Sequence, residues 1–446
     1  MARSWFWNLT GLQHLYLADT QLYGQAPDAL AHMTSLQVLD LSYNHNMGTM
    51  TTSFKNLCSL RILDLSYCQI VGNIKDIIGR MPQCPLNKLQ ELHLRSNNIT
   101  GIMPSDIGML GNLTILVLRD NNLTGLVPSE IGMLCNLNTM DLRGNNLNGD
   151  FTEEHFKSLT RLKRLLLSGN SLSNLFEGQL PQCFGVKNIS FLMLSNNRFS
   201  GNFPSVLKNW RQLKSLDLSN NSFSGRLPFW IGDLVELRLL RLNTNMFSRE
   251  IPATISNLSR LHHLNLADNG LSGTIPRNLS NLTAMTGTYV KDSMLDTIVG
   301  YGDYSSMVGS YYFSSMVVKG RELNYGIGIL DMVSIDLSLN KLTGGIPEEI
   351  AALVGLVNLN LSWNQLTGKI PNKLGALQAL ESLDLSRNML SGGIPSSVSD
   401  LTYLSYLDLS DNNLTGCIPS GRQLDTLYTE QPSMYNGNSG LCGTPL

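Results

Sequence analysis

The sequence predicts an α/β solenoid, in which short repeats stack side by side and their strands form one parallel β-sheet along the concave face. Three observations predict this fold: a recurring leucine pattern, a fixed interval between its occurrences, and a common ending after each leucine segment. The chain of 446 residues is therefore expected to form an elongated repeat array rather than several globular domains.

The leucine pattern is L-x-x-L-x-L-x-x-N, as in LQVLDLSYN (36–44), LKSLDLSNN (213–221) and LESLDLSRN (380–388). Fifteen units carry it, and ten of the fourteen intervals between their first residues are 24 residues long. The first residues of the units are 12, 36, 60, 89, 113, 137, 162, 189, 213, 237, 261, 332, 356, 380 and 404. This regularity indicates a solenoid of about 15 repeats.

Each position of the repeat has a physical role. The alternating L-x-L predicts a short strand whose leucines point inward while the intervening side chains point outward. The Asn in the ninth position is expected to lie buried at the turn and to hydrogen-bond backbone groups there. The G-x-I-P ending supplies a Gly for an unusual backbone geometry and a Pro that stops regular pairing. Thr20 and Cys68 replace the Asn, and Arg249 replaces the Gly.

One long segment interrupts the pattern, because 71 residues separate the first residues Leu261 and Met332. The segment is rich in tyrosine and predicts an island inserted between two repeats. The predicted domain organisation is therefore a first solenoid segment of eleven repeats without an N-terminal cap at 1–284, the island at 285–330, the last four repeats at 331–419, and a partial C-terminal cap at 420–446.

The composition excludes some functions and favours one compartment. Charged residues make up 15% of the chain and the net charge is −2, which argues against nucleic-acid binding. Asn-x-Ser/Thr glycosylation sequences and seven cysteines favour a secretory-pathway protein. Cys58 and Cys84 flank an irregular third repeat and would staple it, although spacing alone does not establish the pair. The candidate glycosylation sites are Asn8, Asn98, Asn112, Asn122, Asn188, Asn220, Asn257, Asn278, Asn281, Asn360 and Asn413.

Motifs for catalysis are missing from the sequence. It contains no H-E-x-x-H, no C-x-x-C, no phosphate-binding loop and no G-x-S-x-G. We therefore expect no enzymatic activity, no cofactor and no metal site.

Candidate ligand-binding residues occupy outward positions on the predicted concave sheet. Most such positions carry Asp and Ser, which we interpret as structural. Five positions near the island instead carry large or basic side chains, namely Arg241, His263, Trp363, Arg387 and Tyr406. The island adds tyrosines, which give large contacts at small entropic cost, namely Tyr301, Tyr304, Tyr311, Tyr312 and Tyr325. Asn360 also points outward on this sheet, and a glycan there would limit where a protein ligand lies.

The full pattern L-x-x-L-x-L-x-x-N-x-L-x-G-x-I-P resembles the plant-type extracellular leucine-rich repeat over nearly the whole chain. A late island followed by four repeats, and a tail such as PSGRQLDTLYTEQPSMYNGNSGLCGTPL, is similar to plant receptor-like proteins, the cell-surface immune receptors without a kinase domain. In that family the island often ends in Lys-x5-Tyr, and KGRELNY places Lys319 and Tyr325 at that spacing.

The resemblance implies a receptor ectodomain at the extracellular side of the plasma membrane. Such a receptor senses a microbial or damage-derived peptide, protein or glycan, has no enzymatic activity, and signals through a recruited leucine-rich-repeat co-receptor kinase. Lys319 and Tyr325 would then serve the contact with the co-receptor. We expect membrane anchorage to come only from segments outside this chain, since it shows neither a signal peptide nor a transmembrane segment.

Three alternatives remain open at this point. The chain would also suit the ectodomain of a hormone-sensing receptor kinase, with the island as the hormone pocket. A secreted inhibitor of a microbial wall-degrading enzyme would use the same sheet, although such inhibitors are short and uninterrupted. A truncated gene product without an independent role is the third alternative.

Overall fold

The structure, a computed structural model, describes Trp7 and residues 9–24, 28–45, 47–85, 87–175, 188–287, 314–318, 321–325 and 332–443. The chain divides into two compact units, residues 1–200 and 201–446. Both units have the architecture of an α/β solenoid, in which each repeat contributes a strand to a main parallel sheet. Among the described residues, no helix is both long enough and apolar enough to span a bilayer.

In the first unit, the leucine segments form parallel strands in register, so that His14 pairs with Val38 and Val38 with Ile62. The main-sheet strands are His14–Tyr16, Val38–Asp40, Ile62–Asp64, Glu91–His93, Ile115–Val117, Thr139–Asp141, Arg164–Leu166 and Phe191–Met193. A second parallel sheet contains Val71–Asn73, Asn98–Ile102, Asn122–Gly125, Asn146–Phe151 and Ser171–Leu175. Helical turns are Asp28–His32, Ile74–Ile78, Ser105–Met109, Ser129–Met133 and Glu153–His155.

The second unit repeats this plan. Its main-sheet strands are Ser215–Asp217, Leu239–Arg241, His263–Asn265, Ser334–Asp336, Asn358–Asn360, Ser382–Asp384 and Tyr406–Asp408. Its second sheet contains Ser222–Arg226, Met246–Glu250, Gly270–Thr274, Lys341–Gly344, Gln365–Gly368, Met389–Gly392, Asn413–Cys417 and Gly440–Cys442, while Ser200–Asn202 lies at the division between the units. Helices are Ser205–Asn209, Phe229–Asp233, Ala253–Asn257, Arg277–Asn281, Thr283–Met285, Glu348–Ala352, Leu374–Ala376, Ser396–Asp400, Arg422–Glu430 and Pro432–Tyr435.

The main sheet of the second unit continues directly across the sequence interruption. His263 pairs with Ser334, and the amide of Leu266 donates to the carbonyl of Asp336 at 2.8 Å. The repeats before and after the interruption therefore stack as neighbours. The two strands Ser314–Val318 and Arg321–Tyr325 lie within the interruption and pair antiparallel.

The Asn of the repeat forms a buried ladder along the turns, as the sequence predicts. Asn364 donates from Nδ2 to the carbonyls of Leu337 and Leu361, at 2.9 and 3.2 Å, and its Oδ1 accepts from the amide of Leu342 at 3.0 Å. Each Asn thus ties its own turn to the preceding repeat and satisfies backbone groups that would otherwise be buried without partners. Cys68, which stands in place of an Asn, donates its thiol to the carbonyl of Leu41 at 3.0 Å.

Arg249 and the third repeat depart from the regular pattern of the sequence. Arg249 takes the left-handed backbone of the Gly that it replaces, with φ 72° against 79° at Gly225. In the irregular third repeat, a disulfide joins Cys58 to Cys84, whose Cα atoms are 5.7 Å apart. That distance lies within the range that a disulfide spans without distorting the backbone.

Residues 431–443 stack like a further repeat, although the leucine pattern is absent there. Asn438 fills the ladder position, because its Oδ1 accepts from the amide of Leu414 at 3.0 Å and its Nδ2 donates to the carbonyl of Leu409 at 2.9 Å. Met434 and Tyr435 are buried beneath this turn. We call residues 420–443, the described part of the predicted cap, the C-terminal cap.

Candidate functional site

The outward side chains of the second unit form rows across its main sheet, since the strands are parallel and in register. One row runs from Asp217 through Arg241, Asn265, Asp336, Asn360 and Asp384 to Asp408. A neighbouring row contains His263, Asn358, Ser382 and Tyr406. The leucines between these rows are buried, so the repeat frame alone determines which side chains meet on the outer face.

The last repeats and the C-terminal cap form an open groove of about 640 Å³. Three of the sequence-predicted residues, Trp363, Arg387 and Tyr406, line this groove together. Ser433 and Asn436 of the C-terminal cap complete it. The structure thus brings these three predicted residues to one place and adds the C-terminal cap, which the sequence predicted as a cap but not as part of a binding site.

Trp363 is the most prominent side chain of the groove. It is 51% exposed, which is unusual for a residue that normally buries most of its surface. The guanidinium carbon of Arg387 lies 4.1 Å from the centre of its ring, at cation–π distance. Arg387 in turn contacts a carboxylate oxygen of Asp411, with Nε and Oδ2 3.4 Å apart.

Trp363, Arg387 and Asp411 occupy the same position in successive repeats, and all three adopt a left-handed backbone with φ between 53° and 54°. This conformation costs energy for residues other than glycine and is uncommon for a bulky side chain. The amide of Trp363 donates to the carbonyl of Ser386 at 3.0 Å, which holds the strained turn. The turns present the three side chains next to one another along the rim of the groove.

Acidic side chains line the groove, namely Asp384, Asp408 and Asp411. Oδ1 of Asp384 accepts from the amide and the hydroxyl of Ser386, at 3.0 and 2.7 Å. Burial nevertheless raises the pKa of Asp384 to about 6, because desolvation outweighs these hydrogen bonds and Asp408 and Asp336 add repulsion. Burial also raises the pKa of Tyr406 to about 12, and the negative charges of Asp384 and Asp408 contribute to this rise.

The other two predicted residues, Arg241 and His263, lie earlier on the same sheet and do not line the groove. Arg241 is buried, and its Nη1 lies 3.4 Å from Oδ2 of Asp217. His263 is fully buried, and its ring nitrogens make no hydrogen bond with any described residue. Burial, together with the positive charge of Arg241, holds the pKa of His263 well below its usual range, so the ring is neutral.

The island candidates fall largely outside the described residues. Lys319, Tyr301, Tyr304, Tyr311 and Tyr312 lie outside them. Tyr325 ends the described strand Arg321–Tyr325 and pairs with Ser314.

The candidate glycosylation sites differ sharply in accessibility. Asn8 lies outside the described residues, and Asn360 is buried, with its Oδ1 accepting from the amide and hydroxyl of Ser362 at 3.1 and 2.7 Å. The remaining sites are exposed, namely Asn98, Asn112, Asn122, Asn188, Asn220, Asn257, Asn278, Asn281 and Asn413. The side chain of Asn360 is therefore held within the row of side chains on the sheet by its contacts with Ser362.

Sequence reasoning treated the Asp and Ser of the repeat as structural and so missed Asp384, Asp408 and Asp411 as groove residues. A signal was present, because these residues fall on adjacent repeats at the same or neighbouring outward positions as Arg387 and Tyr406. Leu339, 47% exposed at the position equivalent to Trp363 in the preceding repeat, was missed in the same way.

Two family profiles match the sequence. The profile described as a leucine-rich repeat region matches residues 29–231. A single-repeat profile described as Leucine Rich Repeat matches residues 260–282, 355–377, 379–401 and 403–421. No curated protein matches the sequence.

Several solved plant receptor structures are similar to this chain. A TDR receptor is 26% identical with a TM-score of 0.73, covering 93% of this chain and 66% of that chain. The plant peptide hormone receptor RGFR1 in complex with RGF2 is 27% identical with a TM-score of 0.67, covering 95% and 66%. The Arabidopsis receptor kinase HAESA in complex with the peptide hormone IDA and the co-receptor SERK1 is 30% identical with a TM-score of 0.57, covering 98% and 75%.

The chain spans slightly less than two thirds of the first two of these structures, at 66% of each. Within that span, the fold of this chain is similar to that of the receptor structures, and both profiles describe leucine-rich repeats. The chain belongs to the leucine-rich-repeat family and is a plant-type leucine-rich-repeat receptor-like ectodomain.

Proposed function

We propose that this chain is the extracellular ligand-recognition part of a plant cell-surface receptor and that its groove contacts the ligand. The observation that carries the proposal is the exposed Trp363, which lies against Arg387 on a turn with a left-handed backbone. Tryptophan, tyrosine and arginine are the residues that most often dominate binding energy in protein interfaces. A solvent-facing Trp at cation–π distance from an Arg is an anchor of that kind.

The chemistry of the groove favours a peptide with a basic side chain. Asp384, Asp408 and Asp411 outnumber the single guanidinium of Arg387, which Asp411 already contacts. A cationic side chain would gain electrostatic energy in this field, while Trp363 and Tyr406 supply apolar contact area. The structures of RGFR1 with RGF2 and of HAESA with IDA support the choice of a peptide over other ligands.

Signalling is proposed to follow from recruitment of a leucine-rich-repeat co-receptor kinase, while the chain itself has no enzymatic activity. The HAESA complex contains the co-receptor SERK1, which supports this step. Lys319 and Tyr325 are the proposed contacts on this chain. Ligand-dependent binding of a co-receptor ectodomain should fall in the double variant Lys319→Ala, Tyr325→Ala, and undiminished recruitment would reject this role.

The receptor is proposed to act at the extracellular side of the plasma membrane and to sense a microbial or damage-derived ligand. The alternative is a hormone-sensing receptor kinase, which the similarity to HAESA favours. Sequencing the transcript beyond Leu446 separates the two, because the first requires a membrane span with a short tail and the second requires a kinase domain.

Peptide binding in the groove is tested by measuring how the secreted 446-residue chain is retained on an immobilised library of synthetic peptides that vary in charge. Peptides with Lys or Arg should be retained, and Trp363→Ala should weaken the retained peptides by about 10-fold to 100-fold. Phe229→Ala is the matched control, since Phe229 is 67% exposed in the same unit but lies outside the groove. Equal loss in both variants, or retention of acidic peptides only, would overturn the proposed site.

A further inference from the structure

Two exposed cysteines lie side by side at the end of the second unit. Cys417 is the last residue of the strand Asn413–Cys417, and Cys442 is the last residue of Gly440–Cys442. The strands pair in parallel, with Cys417 and Cys442 as direct register partners, and their Sγ atoms are 2.8 Å apart. Both thiols are exposed and therefore accessible to small reagents.

The backbone already has the geometry that a disulfide needs. Neighbouring strands lie about 5 Å apart, so the Cα atoms of register partners fall within the range of roughly 4.4–6.8 Å that disulfides span. The two side chains also point to the same side, because their sulfur atoms meet. A bond between them requires no rearrangement of either strand.

The segment between the two cysteines contains most of the C-terminal cap. It contains the helix Arg422–Glu430, which buries Leu424 and Leu427, and it contributes Ser433 and Asn436 to the groove. Its backbone is attached to the last repeat at the amide of Leu409, which donates to the carbonyl of Met434 at 2.8 Å. The amide of Ile418 likewise donates to the carbonyl of Cys442 at 2.9 Å.

Among the described residues, Gly440–Cys442 is the last strand of its sheet and pairs on one side only, with Asn413–Cys417. A covalent link at Cys442 would fix the last strand to the preceding one. It would also hold Ser433 and Asn436 in place as one wall of the groove.

We propose that Cys417 and Cys442 form a disulfide that fastens the C-terminal cap to the last repeat. The oxidant is a low-molecular-weight disulfide such as oxidised glutathione. One cysteine thiolate attacks a sulfur of that disulfide and releases one small thiolate, and the second cysteine then displaces the other. In balance, the two protein thiols lose two protons and two electrons, and the small disulfide is reduced to two thiols.

The bond is tested on the secreted 446-residue chain by alkylation with N-ethylmaleimide, without reduction, followed by mass mapping of peptides. The expected result is a linked peptide pair containing Cys417 and Cys442, neither of them alkylated. Cys135, exposed in the first unit, is the internal control and should carry the reagent. Alkylation of Cys417 and Cys442, or a link from either to another cysteine, overturns the proposal.

Fastening of the cap is tested by hydrogen exchange in Cys417→Ser and Cys442→Ser. Amides of Leu409, Asp411 and Ile418 should exchange about 10-fold or more faster in both variants, because the unlinked cap opens more often. Cys135→Ser should leave their exchange unchanged. The amide of Leu242, which donates to Asn265, reports whether the rest of the unit is folded. Unchanged exchange at the cap in a folded variant rejects the fastening role even if the bond forms.

Discussion

Asp141 in the first unit and Asp384 in the second occupy the same position of the repeat but have opposite electrostatic environments. Both follow the fourth position of the pattern, Met140 and Leu383, and end a main-sheet strand. In both, Oδ1 accepts from the amide two residues later, Arg143 at 3.3 Å and Ser386 at 3.0 Å. The difference is the side chain of that later residue.

Arg143 and Ser386 both lower the pKa of the neighbouring carboxyl, but only Arg143 outweighs the effect of burial. Burial alone would raise the pKa of Asp141, but the guanidinium of Arg143, whose Nε and Nη2 donate at 2.8 and 2.6 Å, holds it below the usual value. With only the hydroxyl of Ser386, burial raises the pKa of Asp384 to about 6. The repeat frame therefore places the carboxylate, and the side chain two positions later contributes to its charge state together with burial and the neighbouring charges.

Asp336 extends the comparison within the second unit. It also has a serine two residues later, Ser338, and burial raises its pKa to about 6. Asn265 and Asn360 occupy the same row and make the equivalent contact, with the amides of Ala267 and Ser362, without carrying a charge. Within this row, Asp336 and Asp384 therefore change charge near pH 6, whereas Asn265 and Asn360 stay neutral.

The largest effect is expected from Arg143→Ser, which gives the first unit the local sequence of the second. Asp141 would remain buried without its bidentate partner, and breaking a buried ion pair costs about 3–5 kcal/mol. The free energy of local opening, measured by hydrogen exchange at the amide of Leu142, should fall by that amount at neutral pH. Arg161→Ser, at an exposed arginine of the same unit, is the control. A loss no larger than in this control would show that the Asp141–Arg143 pair does not determine the difference.

The pH dependence of stability should have opposite signs at Asp336 and Asp141. Asp336 has a pKa of about 6 when folded and about 4 when unfolded, so between these values the folded state holds the additional proton. Its contribution to stability is complete below about pH 4 and is lost as pH rises through 6, a loss of about 2–3 kcal/mol. Asp141, with a lowered pKa, instead loses its contribution as the pH falls below the unfolded value.

Asp336→Asn isolates this effect, because an amide keeps the acceptor and removes the titration. The difference in free energy of unfolding between the variant and the natural chain should therefore grow as pH rises from about 4 to 7. Exchange at the amide of Leu337, which donates to Asn360, reports the second unit locally. A difference independent of pH would contradict a raised pKa at Asp336.

Much of the repeat architecture follows from the sequence. The 24-residue interval, the inward leucines and the ninth-position Asn depend only on local spacing, and they correctly predicted the solenoid and the Asn ladder. Trp363, Arg387 and Tyr406 were identifiable as candidates because they interrupt a uniform pattern of Asp and Ser.

The electrostatics of the groove and its C-terminal wall were not predictable in the same way. The pKa of Asp384 depends on burial and on Asp336 and Asp408, which belong to other repeats. Residues 431–443 stack like a repeat through Asn438 and buried side chains, without any leucine pattern to reveal it. Both properties arise from contacts between repeats rather than from the order of residues within one.

A smaller effect is expected from Ser386→Arg, which gives the second unit the local sequence of the first. A guanidinium beside Asp384 should lower the pKa of that carboxyl and stabilise the unit by about 1 kcal/mol at neutral pH. The dependence on pH near 6 should weaken accordingly. Ser410→Arg is a matched control for added charge, because it lies beside Asp408 instead. If the two substitutions flatten the pH dependence equally, charge in the groove as a whole, rather than the residue two positions after Asp384, determines it.

The smallest effect concerns Arg387→Ala, which removes an exposed arginine–aspartate pair. The side chains of Arg387 and Asp411 are 50% and 47% exposed, against 10% and 6% for Arg143 and Asp141. Exposed ion pairs contribute about 0–1 kcal/mol, so stability measured in the same way should change by less than about 0.5 kcal/mol. Peptide retention in the groove should nevertheless fall, because Trp363 loses the guanidinium that lies against its ring. A stability loss as large as that of Arg143→Ser would mean that burial does not separate the two pairs, and that Arg387 holds the fold rather than the ligand.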